Sequence, residues 1–296
     1  MRFLKRLFGE KRGKRLSSTL RTFTFPENVR NPGAVGVFAP AEAGGVWSSL
    51  YMARALQESY RNTPVHLVIH RDYQEMAGFL PWKPEIHVYE GDHGSPSPEA
   101  PPDILLFSTE PDDGLSAYVE GTQPSACVSF REHPAVNIRV RMQNEPLPGA
   151  VNGMMSVLGL AGFGAWKPEA PSILSDKAAA ILSPVSHRTL PYMLATEEAA
   201  GILEKKRAEI PLKLVITNGK NPGIPADTGP SLMAAIVAGS SAVITTERDL
   251  WLHGTALGIP VIALDRKGSF TGWDSEPATG ETQFLEQWAA LIRRGW

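Results

Sequence analysis

The stretch that decides the fold is SLMAAIVAGSSAVITTERDLWLHGTALGIPVIAL, residues 231–264. Apolar residues recur with helical period over 231–238, form a short β-rich run over 242–245, return to helical period over 250–257, and end in the apolar run 260–264. This spacing predicts a helix, a strand, a helix and a strand in that order. Strands that are apolar on both faces and alternate with helices are typical of a parallel sheet covered by helices.

The alternation continues on the N-terminal side of this stretch. Apolar runs predict strands over 34–39, 65–69, 86–89, 103–107 and 212–216, and helical periodicity predicts helices over 46–60, 73–80, 150–160 and 194–208. Gly44 and Gly45 predict a turn between the first strand and its helix. Glycines and prolines after residue 160 are typical of a connection between domains.

We therefore predict an α/β protein with two Rossmann-like domains that face each other across a cleft, the second domain being shortened. The predicted boundaries are a basic leader over 1–30, an N-terminal, acceptor-side domain over 31–165 and a C-terminal, nucleotide-sugar-side domain over 166–296. A length of 296 residues fits two domains, since a single hydrophobic core rarely grows that large.

Composition narrows the class of partner and of site. The net charge of −2 argues against nucleic acid as a partner, because nucleic-acid-binding domains carry a basic excess. The single cysteine, Cys127, excludes an internal disulfide and is expected to be a small core residue. No Cys and His residues have zinc-ligand spacing, so no metal is predicted, and His66, His133 and His187 are expected to lie without metal or triad partners.

The N-terminus, MRFLKRLFGEKRGKRL over residues 1–16, combines apolar and basic residues. Two interpretations stay open: a short amphipathic helix that contacts the inner-membrane surface, or a basic leader that stays in solution. No apolar run approaches the length needed to span a bilayer. The sequence predicts a cytoplasmic protein, with peripheral membrane contact through residues 1–16 as the open alternative.

Four segments together resemble glycosyltransferase family 9, the heptosyltransferase-like enzymes. They are GGVWSSLYMARALQESY (44–60), PDILLF (102–107), SHRTLP (186–191) and the run from 232 to Trp273. The resemblance implies the two-domain GT-B fold and inverting transfer of a sugar from a nucleotide-diphosphate sugar to a lipid-linked or polysaccharide acceptor. It implies no cofactor besides that donor substrate.

On the donor side, the resemblance places the nucleotide at a loop and the helix that follows it. The residues are Thr245, Thr246, Glu247, Arg248 and Asp249. The family carries Asp-Thr/Ser-Gly-Pro and a nearby histidine in this loop, so the present loop departs from the pattern. Arg248 either pairs with phosphate or lies in a salt-bridged surface loop.

Three further donor-side candidates lie elsewhere in the chain. His253 stands one position later than the family histidine, Arg188 belongs to the segment that resembles the family's basic loop, and Trp273 follows the last strand. The letters DTGP recur at 227–230, but there they predict a helix N-cap with Pro230 in the first turn.

On the acceptor side, the resemblance points to Gly44, Gly45 and Val46 as binding residues and to a general base. In the family, the aspartate of a Gly-Asp loop is thought to remove the proton from the acceptor hydroxyl. Gly45 stands at that position, so Glu42 is the nearby candidate base; the alternative is a solvated loop residue. These departures from the family pattern leave two alternatives to the transferase open. The second interpretation is a catalytically inactive binding or scaffold protein in the same pathway, and the third is a sugar-nucleotide epimerase.

Overall fold

The computed structural model describes residues 30–90, 101–108, 113–130, 132–140, 147–160, 166–183, 191–204, 213–217, 223–225, 227–270 and 276–294. The chain divides into two compact units, residues 1–166 and 167–296. Within the described residues, no helix is both long and apolar enough to cross a membrane.

The first unit is built on a parallel sheet. Its strands are β1 (Val35–Ala39), β2 (Val65–His70), β3 (Glu85–Tyr89), β4 (Ile104–Leu106), β5 (Ala126–Ser129) and β6 (Ile138–Arg139). Its helices are α1 (Ala43–Ser59), a 3₁₀ helix (Arg71–Phe79), α2 (Asp113–Thr122) and α3 (Leu147–Val157). The strand order β3-β2-β1-β4-β5-β6 is that of the doubly wound dinucleotide-binding fold.

The second unit repeats this plan with fewer strands. Its strands are β7 (Tyr192–Thr196), β8 (Lys213–Thr217), β9 (Gly223–Ile224), β10 (Ala242–Thr245) and β11 (Val261–Ala263). Its helices are α4 (Ser172–Leu182), α5 (Glu197–Leu203), α6 (Pro230–Ala238), α7 (Arg248–Leu257) and α8 (Glu281–Arg294). The order β11-β10-β7-β8-β9 puts the first strand of the unit at the centre, as in the first unit. The predicted α/β class with parallel sheets is confirmed.

Each sheet is buried because its strands are apolar on both faces. All five residues of β1 and all five of β7 are buried. Trp47 on α1 and Trp251 on α7 are both fully buried. Cys127, on β5, is buried in the core of the first unit, as predicted from its apolar neighbours.

One predicted element is wrong at its start. Residues 194–208 were expected to form a helix, but 192–196 form strand β7, and α5 begins only at Glu197. Met193, Leu194 and Ala195 favour helices locally. In the folded chain, β7 pairs with β8 on one side and with β10 on the other, and this pairing overrides the local preference.

Candidate functional site

The strand order of each unit indicates where a ligand would bind. In doubly wound sheets, ligands bind at the carboxyl ends of the strands, at the point where the strand order reverses direction. In the second unit the chain moves from β7 to β8 on one side and later returns to pair β10 on the other side of β7. The switch point of this unit therefore lies between the carboxyl ends of β7 and β10.

The predicted donor loop lies at this switch point. Strand β10 ends at Thr245 and α7 begins at Arg248, so Thr246 and Glu247 form the connection. The Thr245 hydroxyl accepts the N–H of Glu247 at 2.8 Å, and Thr196 Oγ1, at the end of β7, accepts the N–H of Thr246 at 3.1 Å. Side chains of two neighbouring strands thus fix the loop.

The three adjacent strands β10, β7 and β8 all end in a buried threonine. Thr245 is 0% exposed, Thr196 2% and Thr217 1%. Thr217 Oγ1 has no hydrogen-bond partner within the described part of the chain. A buried hydroxyl without a partner is costly, so this edge of the sheet holds a polar group that a bound ligand or water would satisfy.

The start of α7 suits an anion. Glu247 is the N-cap residue with extended backbone, and its side chain makes no capping hydrogen bond. The first N–H groups of the helix and its partial positive charge then point toward the switch point, an arrangement that binds phosphates. Arg248, the first helical residue, is partly buried there, and Asp249 is exposed.

His253, also predicted to contact the nucleotide, lies in the packed interior. It belongs to the second turn of α7 and is 1% exposed. Burial lowers its pKa from 6.5 to about 4, so the ring stays neutral at pH 7. The ring is buried in the packing of the second unit, and its contact with a nucleotide stays a prediction.

The first unit has its own switch point, between β1 and β4. Ser108, which follows β4 and is fully buried, hydrogen-bonds to the hydroxyl of Ser48 on α1. The Ser48 hydroxyl also donates to the carbonyl of Gly45 at 2.9 Å. These contacts attach the start of α1 to the edge of the sheet.

Glu42 lies at this second switch point. It is the N-cap residue of α1, has extended backbone and is partly exposed, and its side chain makes no capping hydrogen bond. The carboxylate therefore stands at the positive end of the helix, where a negative charge is stabilised. The position suits a side chain that meets a bound hydroxyl.

The predicted glycine turn is wrong. Helix α1 begins at Ala43, and Gly44, Gly45 and Val46 are all buried in its first turns. The short connection from β1 consists of Pro40, Ala41 and Glu42. Gly44 and Gly45 therefore belong to the buried start of the helix rather than to an open loop.

Several predicted features lie outside the described residues. They are Arg188, Trp273, His187 and the basic segment 1–16. The prediction that residues 227–230 start a helix is confirmed, because Gly229 is the N-cap of α6 and Pro230 is its first residue.

Sequence reasoning missed Thr196 and Thr217 as candidates. Thr196 was missed because β7 was assigned to a helix. A usable signal was present: Leu-Ala-Thr (194–196), Val-Ile-Thr (215–217) and Val-Ile-Thr (243–245) each end an apolar run in threonine.

The expectation that His66 lies without partners is also wrong, because His87 and Glu85 lie beside it.

No protein-family model matches the sequence, and no curated protein matches it at a significant level. Solved structures do match. Escherichia coli ADP-heptose lipopolysaccharide heptosyltransferase II aligns with a TM-score of 0.62 at 12% identity, over 88% of this chain and 99% of that one. A glycosyltransferase of family 9 from Veillonella parvula aligns with a TM-score of 0.64 at 14% identity, over 89% and 98%.

The E. coli heptosyltransferase WaaC, solved with ADP-2-deoxy-2-fluoro heptose, aligns with a TM-score of 0.57 at 11% identity, over 89% of this chain and 100% of that one. Each alignment covers nearly the full length of this chain and of the chain it is compared with. The chain therefore has the GT-B fold of nucleotide-sugar glycosyltransferases. The predicted resemblance to family 9 is confirmed for the fold. The sequence identities of 11–14% make the chain divergent from these neighbours.

Proposed function

We propose that this chain, which has the fold of the heptosyltransferases, binds a nucleotide-diphosphate sugar through its second unit and transfers the sugar to a lipopolysaccharide or other envelope polysaccharide acceptor. The observation that carries the proposal is the switch point of the second unit, between the carboxyl ends of β7 and β10. There the uncapped start of α7, Arg248 and the row of threonines at the strand ends lie together. This is a combination that recognises a diphosphate.

In this proposal, the residues of the second unit hold the leaving group. The N–H groups at the start of α7 and the Arg248 guanidinium stabilise the negative charge that develops on the diphosphate as the bond to the anomeric carbon breaks. Thr217 Oγ1, buried and without a partner within the described residues, supplies a further hydrogen bond to the donor. The start of α7 and the Arg248 guanidinium together neutralise the charge of the diphosphate leaving group.

In the first unit, Glu42 removes the proton from the acceptor hydroxyl as that oxygen attacks the anomeric carbon. Its place at the start of α1, beside the switch point of the unit, supports this role. Gly45 has no side chain to serve as base and is buried in the first turn of the helix. Glu42 is therefore the carboxylate on which turnover depends.

One observation favours a second candidate function, a binding or scaffold protein that is catalytically inactive. The carboxylate that the family places at position 45 is absent, and a carboxylate introduced there enters a buried turn whose carbonyl already accepts the Ser48 hydroxyl. In this alternative the nucleotide site of the second unit persists while the base of the first unit does not act.

Thermal unfolding with ADP, UDP, GDP and ADP-heptose separates the candidates. A ligand at about 100 times its Kd stabilises the fold by about 2.7 kcal/mol. The proposal expects a rise in Tm with one nucleotide class. ADP is tested first because one structural neighbour, WaaC, was solved both with ADP and with ADP-2-deoxy-2-fluoro heptose. No shift with any nucleotide, for a folded protein, contradicts the donor site.

Transfer then distinguishes enzyme from scaffold. The proposal expects turnover of the donor that gives the Tm shift, with lipopolysaccharide precursor as acceptor, and loss of turnover in Glu42→Gln with unchanged donor binding. Donor binding without any turnover identifies the inactive protein. Glu75→Gln, in the exposed 3₁₀ helix of the same unit, is a control for the loss of one carboxylate.

A further inference from the structure

A cluster of two histidines and one glutamate lies in the first unit, away from the switch point of that unit. His66 belongs to β2, and Glu85 and His87 belong to the neighbouring strand β3. The parallel register places His66 opposite Glu85. Side chains two residues apart on a strand share a face, so all three point to the face that Val68 and Tyr89 also occupy.

The three side chains are close enough to share one ion. His66 Nδ1 lies 2.9 Å from His87 Nε2, His87 Nε2 lies 3.3 Å from Glu85 Oε1, and His66 Nε2 lies 3.6 Å from Glu85 Oε2. One ligand atom from each residue can be chosen so that all lie within 4.8 Å of one another. Zinc binds nitrogen and oxygen at about 2.0–2.2 Å in a tetrahedron, which separates its ligand atoms by about 3.4 Å.

Burial and unpaired polar atoms indicate that the hydrogen bonds of the cluster are incomplete. His66 is 1% exposed, and its Nε2 has no hydrogen-bond partner within the described residues. The hydroxyl of Tyr118, on α2, is likewise buried without a partner, and its ring lies 6.5 Å from that of His87. Two orphaned polar atoms at one place favour a bound ion and its water over dry packing.

The protonation state of the imidazoles also suits a cation. Burial lowers the pKa of His66 and of His87, and the Glu85 carboxylate only partly opposes this. Neutral imidazole is the form that ligates metals. The Glu85 side chain is 52% exposed, which gives an ion a path from solvent and a place for a water ligand.

We propose that His66, Glu85 and His87 form a binding site for a divalent transition-metal ion of the zinc class, with water as the fourth ligand. The two imidazoles and one carboxylate are a ligand set that zinc, cobalt and nickel accept, whereas magnesium and calcium prefer oxygen alone. The site lies toward the amino ends of β2 and β3, so the ion holds edge strand β3 to β2. The inference does not rest on the proposed transferase activity.

The test is a cobalt titration of the full chain, purified without a polyhistidine tag and treated with chelator. Visible absorption reports the coordination geometry, and equilibrium dialysis gives the stoichiometry. The expected result is one Co²⁺ per chain, with absorption bands of a four-coordinate site that added Zn²⁺ abolishes. Addition of Mg²⁺ leaves the bands unchanged.

Three variants assign the ligands. Glu85→Gln and His87→Gln keep size and hydrogen-bonding capacity, and each is expected to weaken Co²⁺ binding by at least about tenfold, since even residues behind the ligands contribute that much. His70→Gln, on the same strand β2 but outside the cluster, is expected to bind as the wild type does. Glu85 is half exposed, so its variant stays folded even if that of His87 does not.

Two outcomes overturn the proposal. The first is no stoichiometric Co²⁺ or Zn²⁺ binding by the folded wild-type chain, which leaves a hydrogen-bonded His-His-Glu cluster only. The second is equal binding by the wild type, Glu85→Gln and His87→Gln, which places the ion elsewhere. Nucleotide binding by the second unit is measured on the same samples, so failure of the metal site and failure of the donor site are distinguished.

Discussion

At the scale of single residues, Arg248 is the proposed contact between α7 and the diphosphate. It is the first residue of α7, and a basic side chain in the first turn opposes the helix macrodipole at a cost of about 0.3–1 kcal/mol. Asp249 beside it partly offsets that cost. A diphosphate bound at the same helix end would make the charge of Arg248 favourable there, because the diphosphate binds both the guanidinium and the N–H groups.

We therefore expect Arg248→Ala to weaken nucleoside-diphosphate binding by about 10- to 100-fold, in line with loss of a charged hydrogen bond of about 1.5–3 kcal/mol. The free energy of unfolding is expected to change by less than about 1 kcal/mol, because the charge interactions of a partly exposed side chain contribute little to stability. Titration calorimetry and urea unfolding measure the two quantities. The matched control is Arg61→Ala, which removes an exposed arginine of the first unit. If Arg248→Ala leaves the affinity for the nucleoside diphosphate unchanged, the proposed phosphate contact is contradicted.

His253 makes the stability of the second unit depend on pH. Burial lowers its pKa from 6.5 to about 4. As the pH falls from 6.5 to about 4, the unfolded chain takes up a proton that the folded chain does not, so the free energy of unfolding falls by about 3 kcal/mol over this window. Above pH 6.5 the contribution is complete.

Urea unfolding between pH 7 and about 4 checks this dependence. We expect His253→Gln to be less stable than the wild type at pH 7 and to lose part of the decline toward low pH, because glutamine takes up no proton. His70→Gln, at the partly exposed end of β2, serves as the control. A His253→Gln curve that runs parallel to that of the wild type would show that other groups cause the decline.

At the scale of elements, Gly254 decides how closely α7 lies on its sheet. A Cβ placed at 254 would clash with Val261 Cγ2, on β11, and would approach Val243 Cγ2, on β10, to 3.4 Å. The helix therefore packs against two neighbouring strands through a position that has no room for a side chain. By contrast, a Cβ at Gly201, in α5, meets nothing within 4 Å.

The same substitution in these two helices is expected to have opposite effects. Gly254→Ala should lower the free energy of unfolding by about 1–3 kcal/mol, because the overpacking cost exceeds the gain in helix propensity. Gly201→Ala should raise it by about 0.4–1 kcal/mol, because it only restricts the unfolded chain. Thermal and urea unfolding measure both, and a stabilised Gly254→Ala would contradict the packing of α7 described above.

At the scale of the whole molecule, the two proposed ligands belong to different units. The proposed nucleotide site lies at the start of α7 in the unit formed by 167–296, and the proposed metal site lies on β2 and β3 in the unit formed by 1–166. Each ligand should therefore slow the exchange of backbone amide hydrogens near its own site, because binding reduces local unfolding there.

Hydrogen exchange followed by mass spectrometry tests this assignment. ADP is expected to protect peptides that cover 245–250 and 191–204, and Zn²⁺ is expected to protect peptides that cover 65–70 and 85–89. Arg248→Ala should abolish the first protection only, and Glu85→Gln the second only. Protection of 65–70 by ADP, or of 245–250 by Zn²⁺, would contradict the assignment of one ligand to each unit.

Several features followed from the sequence alone. The apolar runs, their lengths and the helical periods between them predict the α/β alternation, most strand positions and the loop between β10 and α7, because burial on both faces of a parallel sheet leaves a local signature. The four segments that resemble family 9 gave the fold, which the structural neighbours confirm. They also drew attention to Glu42 and Arg248, whose roles stay predictions.

Only the tertiary structure decided the rest, because it depends on contacts between residues far apart in sequence. Residues 192–196 have local helical preference and became the central strand through pairing with β8 and β10. The strand order that defines the switch points, the burial of His253 and the meeting of Thr196 with Thr246 arise in the same way. His66 and His87 are 21 residues apart, and only the register of two neighbouring strands brings their rings together.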